Sequence, residues 1–306
     1  MKVAVVGAGG VGSYYGGRLA AGGHDVSFVA RGATLDALRR SGLRIESPLG
    51  DVQLPEVVAV EHPADIGPVD AVLLCVKTYD VEVVGPTLGP LLQDETAVLC
   101  TQNGVDAMDR LAPHLATGQS LAAVVYGATV RRQPGWVEHL GRVARLRIGG
   151  RGAVGRRRAT ELSAVCADSG IDAKAVEDID AALWTKFVMF SVMSAACCLR
   201  DLPTGPLRDD PDSRATLVRG MRETEAVARA KGIDLAPDVV ERSMEVVDSM
   251  AADSAPSMLS DLRSGRGLEL ESLSGTVVRL GRELGVDVPF HETAHAALKH
   301  QISGRP

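Results

Sequence analysis

Aromatic residues are scarce in this sequence: phenylalanine, tyrosine and tryptophan together make up 3% of its 306 residues. The hydrophobic share is nevertheless 45%. We therefore expect a core built mainly from alanine, valine and leucine. That length and apolar content are ample for a buried core and suggest two domains.

Cysteine is also sparse, and its number is odd. The five cysteines lie in apolar segments, at Cys75, Cys100, Cys166, Cys197 and Cys198. They predict reduced, buried thiols in a cytoplasmic protein and not a disulfide framework. No spacing of cysteine and histidine suggests a zinc site, so we expect no metal.

An excess of positive charge is missing as well, since the formal net charge is −6. This balance argues against a nucleic-acid partner. The arginines between 131 and 158 alternate with strand and turn residues, which indicates a solvated face. No apolar run approaches the length of a membrane span, so we expect no membrane partner. The N-terminus leads directly into a strand, so we expect no signal peptide.

A glycine-rich turn joins an apolar strand at 3–6 to a helix-like stretch that continues to 21. It matches G-x-G-x-x-G and consists of Gly7, Ala8, Gly9, Gly10, Val11 and Gly12. The first glycine permits the tight turn, the second admits a pyrophosphate, and the third allows close helix packing. The helix N-terminus offers N–H groups to the phosphates. A second strand at 25–30 completes a βαβ unit, which favours a dinucleotide site over a glycine-rich turn in another α/β domain.

Arg31 follows the second strand at its carboxyl end, whereas Asp25 opens that strand. Ligands bind beyond the carboxyl ends of parallel strands, which selects Arg31 for the cofactor ribose. A guanidinium there can form a fork with a 2′-phosphate. We therefore predict NADP and not NAD as the cofactor. The alternative is a solvated surface arginine.

Strand and helix patterns alternate along the first half of the chain and then give way to helical periodicity alone. Strands are predicted at 43–45, 57–60, 71–75, 97–100, 121–128 and 171–176, with a helix at 155–169. Residues 136–140 and 145–148 are predicted to form a hairpin pair, which would make the later sheet antiparallel. Helices are predicted at 179–198, 212–231, 237–251, 269–284 and 291–301.

These patterns predict an α/β fold with an N-terminal Rossmann-type dinucleotide-binding domain and an all-helical C-terminal domain. The boundaries are 1–178 for the NADP-binding domain and 179–306 for the helical substrate and dimerisation domain. Such an arrangement implies a substrate cleft between the two domains. The apolar helices would permit a homodimer.

Two short loops follow the later strands of the first domain and carry polar side chains. Lys77 lies in the first and can reach a ribose or a phosphate, while Asn103 in the second offers both a donor and an acceptor. For the Asn103-Gly104 pair, a tight turn is as good an explanation as a function. The predicted cofactor contacts further include Ala128, at the end of a strand, and Glu269.

Lys186 stands in an unusually apolar helix, Leu183-Trp184-Thr185-Lys186-Phe187. Apolar surroundings lower the pKa of a lysine and ease proton transfer near neutral pH. Spacing alone favours a lysine that extends to solvent.

Glu269 and Glu271 are predicted to open a helix, where carboxylates suit the helix dipole, and this structural explanation is sufficient by itself. Ser257 is predicted to cap another helix.

Taken together, these motifs resemble the ketopantoate reductase (2-dehydropantoate 2-reductase) family over nearly the whole chain. The resemblance rests on the glycine turn, Arg31, Val76-Lys77, Gln102-Asn103-Gly104, Leu183-Trp-Thr-Lys186-Phe, Ser257-Met-Leu and Glu269-Leu-Glu-Ser-Leu-Ser-Gly275. It implies a reductase that uses NADPH on a small 2-oxo acid.

The resemblance also implies residue roles. Lys186 would be the general acid, and Glu269 the acidic partner near the lysine and the reacting oxygen. Asn103 would touch the nicotinamide ribose and the substrate. Ser257 would help to hold the substrate carboxylate.

The sequence departs from the family in the substrate region. Family members commonly carry asparagines four and eight residues after the lysine, where this chain has Phe190 and Ser194. A further asparagine before a glycine is matched by Thr204. Since these substrate-binding positions lose amides, we predict a more apolar or bulkier carbonyl substrate. There are two alternatives: a reductase of an imine substrate, and an NADPH-binding sensor without turnover. The presence of both Lys186 and Glu269 argues against the sensor.

Overall fold

The computed structural model describes residues 1–304, and the chain divides into two compact units. The first unit contains Met1–Gln102 and Asp106–Ile179, and the second contains Asn103–Val105 and Asp180–Pro306. A short segment that follows a strand of the first unit therefore groups with the helical unit. The predicted fold class, a Rossmann-type domain followed by a helical domain, is confirmed.

The first unit is built on one mixed sheet, which has ten strands within residues 1–304. The strands are β1 Lys2–Val6, β2 Asp25–Val29, β3 Leu43–Glu46, β4 Val52–Leu54, β5 Val58–Val60, β6 Ala71–Leu74, β7 Ala97–Cys100, β8 Ser120–Gln133, β9 Trp136–Gly150 and β10 Asp172–Ala175. Their order is β4-β3-β9-β8-β7-β6-β1-β2-β5, with β10 paired to β9. The strand order reverses at β1, which pairs in parallel with both β2 and β6. Open α/β sheets bind ligands at such a switch point.

Helices flank this sheet and follow the strands closely. In the first unit they are α1 Gly10–Ala21, α2 Gly32–Ser41, α3 Val81–Val84, α4 Ala107–Leu111 and α5 Gly152–Asp168. The core of this unit consists mainly of valine, leucine and alanine, as predicted, with Phe28, Tyr14 and Tyr15 as its large members. All five cysteines are free thiols, four of them buried and Cys75 half-buried. Burial raises the pKa of each thiol to about 12, so they stay protonated.

The predicted hairpin between 136–140 and 145–148 is wrong. Both segments belong to the single strand β9, and β9 pairs antiparallel with β8. Residues 141–144 bulge out of the ladder opposite Gly127, since the register jumps from Ala128↔Leu140 to Tyr126↔Arg145. This bulge interrupts the alternating pattern and looks like a turn in the sequence. The antiparallel character of this part of the sheet is as predicted.

The second unit is helical. Its helices are α6 Ile179–Arg200, α7 Thr204–Asp209, α8 Pro211–Ala230, α9 Val239–Ser249, α10 Ser257–Arg263, α11 Thr276–Leu284 and α12 Pro289–Leu298, with a π-helical turn at Glu271–Gly275 before α11. The helix predicted at 269–284 starts at Glu271 in the structure, two residues later than predicted. Glu269 therefore lies in the loop before it. Ser257 is not a cap, because Pro256 occupies the N-cap position and Ser257 is the first helical residue.

Helix α6 is 22 residues long with a mean hydropathy of 1.6, which is enough in length and composition to cross a bilayer. The prediction that no apolar run approaches the length of a membrane span is therefore wrong for α6. Of its most apolar window, 61% is buried inside the protein. Core helices of soluble proteins have the same length and composition, so α6 is weak grounds for a membrane span. The helix ends at Arg200, and the next residue, Asp201, has a φ of 50° outside the helical region.

A buried polar network connects four helical segments of the second unit. His291 is fully buried; its Nε2 lies 2.8 Å from Thr224 Oγ1 and its Nδ1 lies 3.3 Å from Ser274 Oγ. Thr224 Oγ1 is in turn 3.3 Å from Ser191 Oγ on α6. Desolvation lowers the pKa of His291 to about 3. The imidazole is therefore neutral in the folded protein at neutral pH.

This network predicts an acid-sensitive fold. The unfolded chain protonates His291 near pH 6.5 and the folded chain only near pH 3, so the unfolded state holds more protons between these values. Stability from His291 is thus complete above about pH 6.5 and is lost as the pH falls toward 3. Urea titrations of the wild type and His291→Gln from pH 7 to 4 should show a steeper decline for the wild type. Equal slopes would contradict the assignment.

Candidate functional site

The glycine-rich turn has the geometry that a dinucleotide requires. Gly7 has φ +102°, and its N–H donates to Val29 O at 3.2 Å, which ties the turn to the end of β2. A Cβ on Gly7 would lie 2.8 Å from the Cys75 carbonyl carbon, and one on Gly12 would lie 2.1 Å from Gly7 O. A Cβ on Gly9 would meet nothing within 4 Å. The turn is therefore closed on the side of the sheet and open at Gly9, where a pyrophosphate fits.

Helix α1 begins directly behind this turn, at Gly10, and its first turn carries no acidic residue. Ala8 is buried and Val11 packs against the core, so these two can offer a nucleotide only their backbone. The first N–H groups of a helix have no partner within it and bind anions. This half of the turn thus fits the phosphates of a dinucleotide without further side chains.

Strand β8 forms a wall beside the turn. A Cβ on Gly10 would lie 2.6 Å from Thr129 O, so the backbone of β8 closes on the start of α1. Ala128, its neighbour on the strand, is exposed. Ala128 was predicted as a cofactor contact, whereas Thr129 was not. Only the pairing of β8 across the sheet brings it to Gly10, and no local signal reports that contact.

Two basic side chains stand at the carboxyl ends of β2 and β6, the two strands that flank β1. Arg31 is the exposed N-cap residue of α2, two residues beyond β2. Lys77 is half-buried and precedes the short 3-10 turn Thr78–Asp80 after β6. Strand β6 continues beside β1 at this point, since Cys75 N–H donates to Val6 O at 2.8 Å. Arg31 and Lys77 therefore lie at the same edge of the sheet as the glycine turn.

Gln102 braces the loops at this edge. Its Nε2 donates at 3.0 Å both to Leu74 O and to Val76 O, so one amide ties the end of β7 to the loop that carries Lys77. Its Oε1 is buried, with no hydrogen-bond partner in the part of the chain that the structure describes. Gln102 was part of a quoted motif, but no role was predicted for it. The sequence feature that could have indicated this bracing role is an amide directly before Asn103, at the end of a predicted strand.

The second unit brings Asn103, Lys186, Phe190 and Glu269 together. Lys186 Nζ donates to Asn103 Oδ1 at 2.8 Å, which explains why residues 103–105 group with the helices. The same Nζ lies over the Phe190 ring, 4.9 Å from its centroid. Lys186 and Phe190 are half-buried, and Glu269 is buried at 7% exposure. Lys186 therefore points into a polar cluster and not along an apolar surface into solvent.

The environment of Lys186 tunes its acidity. Desolvation by burial lowers the pKa of Lys186 to about 8, and the negative charge of Glu269 opposes part of that effect. At neutral pH the ammonium form therefore still predominates. A donor with a pKa slightly above neutrality is suited to general acid catalysis.

The two glutamates of the Glu269-Leu270-Glu271 segment face different surroundings. Glu271 is exposed and its Oε1 bonds to His295 Nε2 on α12 at 2.8 Å. Glu269 is buried, and its charge acts on Lys186. A π-helical turn begins at Glu271, whereas Glu269 lies in the loop before it. π-helical turns are frequent at functional sites.

The remaining predicted substrate residues are placed differently. Ser194 is fully buried on α6, and its hydroxyl has no partner within residues 1–304. Thr204 is buried as the first residue of α7, with its N–H donating to Ser254 O at 2.9 Å. Ser257 is exposed at the start of α10. Of the three substituted positions, Phe190 is half-buried, whereas Ser194 and Thr204 are buried.

Comparisons with known proteins show the family of the chain. The family model described as "Ketopantoate reductase PanE/ApbA" matches residues 3–153, and its C-terminal counterpart matches residues 178–302. A 2-dehydropantoate 2-reductase of Halobacterium salinarum is 31% identical over 96% of both chains.

Solved structures give the same result. A ketopantoate reductase of the PanE/ApbA family from Ralstonia eutropha is 35% identical, with a TM-score of 0.89 over 98% of both chains. A 2-dehydropantoate 2-reductase from Geobacter metallireducens is 30% identical, with a TM-score of 0.91 over 98% of this chain and 99% of that one. On its fold, its matched length and its motifs, the chain belongs to the ketopantoate reductase family of oxidoreductases.

Proposed function

We propose that the chain is a cytoplasmic NADPH-dependent reductase that converts a 2-oxo acid, in the first instance 2-dehydropantoate, to the 2-hydroxy acid. The observation that carries the proposal is the contact of Lys186 Nζ with Asn103 Oδ1 beside the buried carboxylate of Glu269. An ammonium held in this way is a proton donor. The open glycine turn supports a dinucleotide as the second participant.

The chemistry divides between the cofactor and the chain. Bound NADPH supplies a hydride to the carbonyl carbon. Lys186 gives its proton to the carbonyl oxygen as negative charge develops there, and the neutral amine then regains a proton from water. Asn103 orients the ammonium through its Oδ1. The Glu269 charge keeps the lysine protonated against the effect of burial.

Cofactor choice rests on the basic residues at the sheet edge. Arg31 and Lys77 would hold the 2′-phosphate and a ribose or phosphate oxygen, since guanidinium and ammonium groups bind phosphate through charge-assisted hydrogen bonds. The exposed position of Arg31 leaves its guanidinium accessible to a ligand. Ser257, exposed at the start of α10, is proposed to help to hold the substrate carboxylate.

Purified protein with NADPH and a panel of 2-oxo acids tests the proposal directly, by the loss of nicotinamide absorbance. We expect turnover of at least one 2-oxo acid, and slower turnover with NADH. Absence of turnover with every 2-oxo acid, together with tight NADPH binding, would instead support a sensor.

One observation favours a different substrate within this reaction class. Phe190 is half-buried one helical turn after Lys186 and presents an apolar ring where the family commonly has an amide. A site built to bind a polar group loses heavily when that partner is missing. We therefore propose, as a second candidate, a carbonyl substrate that is bulkier or more apolar than 2-dehydropantoate.

The substitution Phe190→Asn separates the two candidates. We expect it to improve kcat/KM for 2-dehydropantoate relative to bulkier 2-oxo acids, because an amide returns to the wall beside Lys186. If the second candidate holds, the wild type should reduce 2-dehydropantoate at well below about 10⁴ M⁻¹s⁻¹, the lower end of ordinary efficiencies. A wild-type preference for 2-dehydropantoate above that value would exclude the second candidate. An unchanged order of preference in Phe190→Asn would make Phe190 a packing residue.

A further inference from the structure

Phe190 and Lys186 form a contact that the proposed reaction does not by itself require. They are four residues apart on α6, so their side chains project from the same face of the helix. The ammonium lies over the ring, 4.9 Å from its centroid. A cation within about 6 Å of an aromatic centroid is attracted by the negative ring face.

We propose that Phe190 is a positioning residue that fixes the Lys186 ammonium against its ring face and favours the charged form of the lysine. Asn103 accepts one hydrogen bond from Nζ, and Glu269 supplies a negative charge. The ring adds an interaction from the helix that carries the lysine itself. The catalytic consequence rests on the proposed function, whereas the contact does not.

The effect of the Phe190 ring on the ammonium can be separated from the effects of the other groups that face it. Glu269 faces Lys186 from the loop before the π-helical turn, and Asn103, which is neutral, faces it from the loop after β7. Neither is altered by a change at Phe190. Two opposing effects of the ring remain: its face stabilises the cation, and its bulk excludes water, which disfavours the cation.

The direction in which the pKa of Lys186 changes when the ring is removed decides between these two effects. The substitution Phe190→Leu removes the π-face and keeps an apolar side chain at a half-buried position. If the ring holds the cation, the pKa of Lys186 falls by about 0.5 to 1.5, the range that a cation–π contact allows. If the ring acts only as an apolar cover, the smaller side chain admits water and the pKa rises.

The pKa is measured without substrate or turnover. The chain has six lysines, at positions 2, 77, 174, 186, 231 and 299, so ε-¹³C-lysine labelling of the full-length protein gives few NMR signals to titrate. Lys186→Met identifies the signal of interest. We expect a lower midpoint in Phe190→Leu and in Phe190→Met, and a midpoint within about 0.3 of wild type in Phe190→Tyr, which keeps the ring face.

A matched control lies on the same helix. Phe187 is fully buried and packs edge-to-face on Trp184, with a ring-centroid distance of 5.4 Å. Phe187→Leu removes the same ring from the same helix and should leave the midpoint of Lys186 unchanged, although it lowers the melting temperature. An unchanged or raised midpoint in Phe190→Leu, or an equal change in Phe187→Leu, would overturn the proposal.

The pH profile of kcat then connects the contact to catalysis. A general acid must be protonated, so activity falls as the pH rises through its pKa. In Phe190→Leu the basic limb of the profile should move to lower pH by the same amount as the NMR midpoint. A moved midpoint with an unmoved limb would leave the contact intact and contradict Lys186 as the proton donor, so the two proposals fail separately.

Discussion

Replacement of Lys186 by alanine should lower kcat by about 10² to 10⁴, the usual contribution of a general acid. The reason is geometric. Lys186, whose Nζ donates to Asn103 Oδ1, is the proposed proton donor, and its removal would leave the carbonyl oxygen without a proton source as charge develops. Binding of NADPH should be unchanged, because the glycine turn, Arg31 and Lys77 belong to the other unit of the chain. Steady-state kinetics and a fluorescence titration of NADPH measure the two quantities.

The matched control is Thr185→Ala, one residue earlier on α6. Thr185 is exposed and its hydroxyl bonds to Ala181 O within the helix, so its loss should leave kcat close to wild type. The wild-type kcat should decline above about pH 8, the pKa to which burial lowers Lys186. Normal turnover by Lys186→Ala would mean that the proton comes from another group.

Replacement of Arg31 by alanine should weaken NADPH binding about ten- to a hundredfold and leave NADH binding nearly unchanged. A hydrogen bond to a charged group contributes about 1.5–3 kcal/mol, which corresponds to that range. Only NADPH carries the 2′-phosphate with which a guanidinium can form a fork. Isothermal titration of both nucleotides gives the two dissociation constants.

A second arginine of the same helix serves as the control. Arg40 is exposed in the last turn of α2, at the end away from the glycine turn, and Arg40→Ala removes the same charge. We expect little change for either nucleotide, so a general loss of positive charge is distinguished from a specific contact. Equal weakening of NADPH and NADH by Arg31→Ala would refute the specificity assigned to it.

The glycine-rich turn was predictable from sequence because its determinants are local. The turn needs a positive φ at Gly7 and no side chain at Gly12, and both demands fall within six consecutive residues. Arg31 follows its strand directly, so its place at the carboxyl end of β2 also follows from the pattern. The fold class was predictable in the same way, because strand and helix patterns alternate in the first half of the chain and only helical patterns follow.

The hairpin failed for an equally local reason. A bulge at 141–144 interrupts β9, and its polar and glycine residues look like a turn. The pairing partner of β9 is β8, and the sequence does not show which strand lies beside which. A similar failure concerned Ser257, since Pro256 takes the cap position that the serine was expected to fill.

The sequence alone determined a Rossmann-type domain with a glycine-rich turn, a helical second domain and a lysine in an apolar helix, since each depends on neighbours within a few residues. Only the tertiary structure decided that Lys186 meets Asn103, 83 residues away, and that Glu269 is buried beside it while Glu271 turns to His295. It also decided that Ser194 is buried while Phe190 meets the ammonium. These contacts join segments distant in sequence, and helical periodicity gives the face of a residue but not the partner that the fold brings against it.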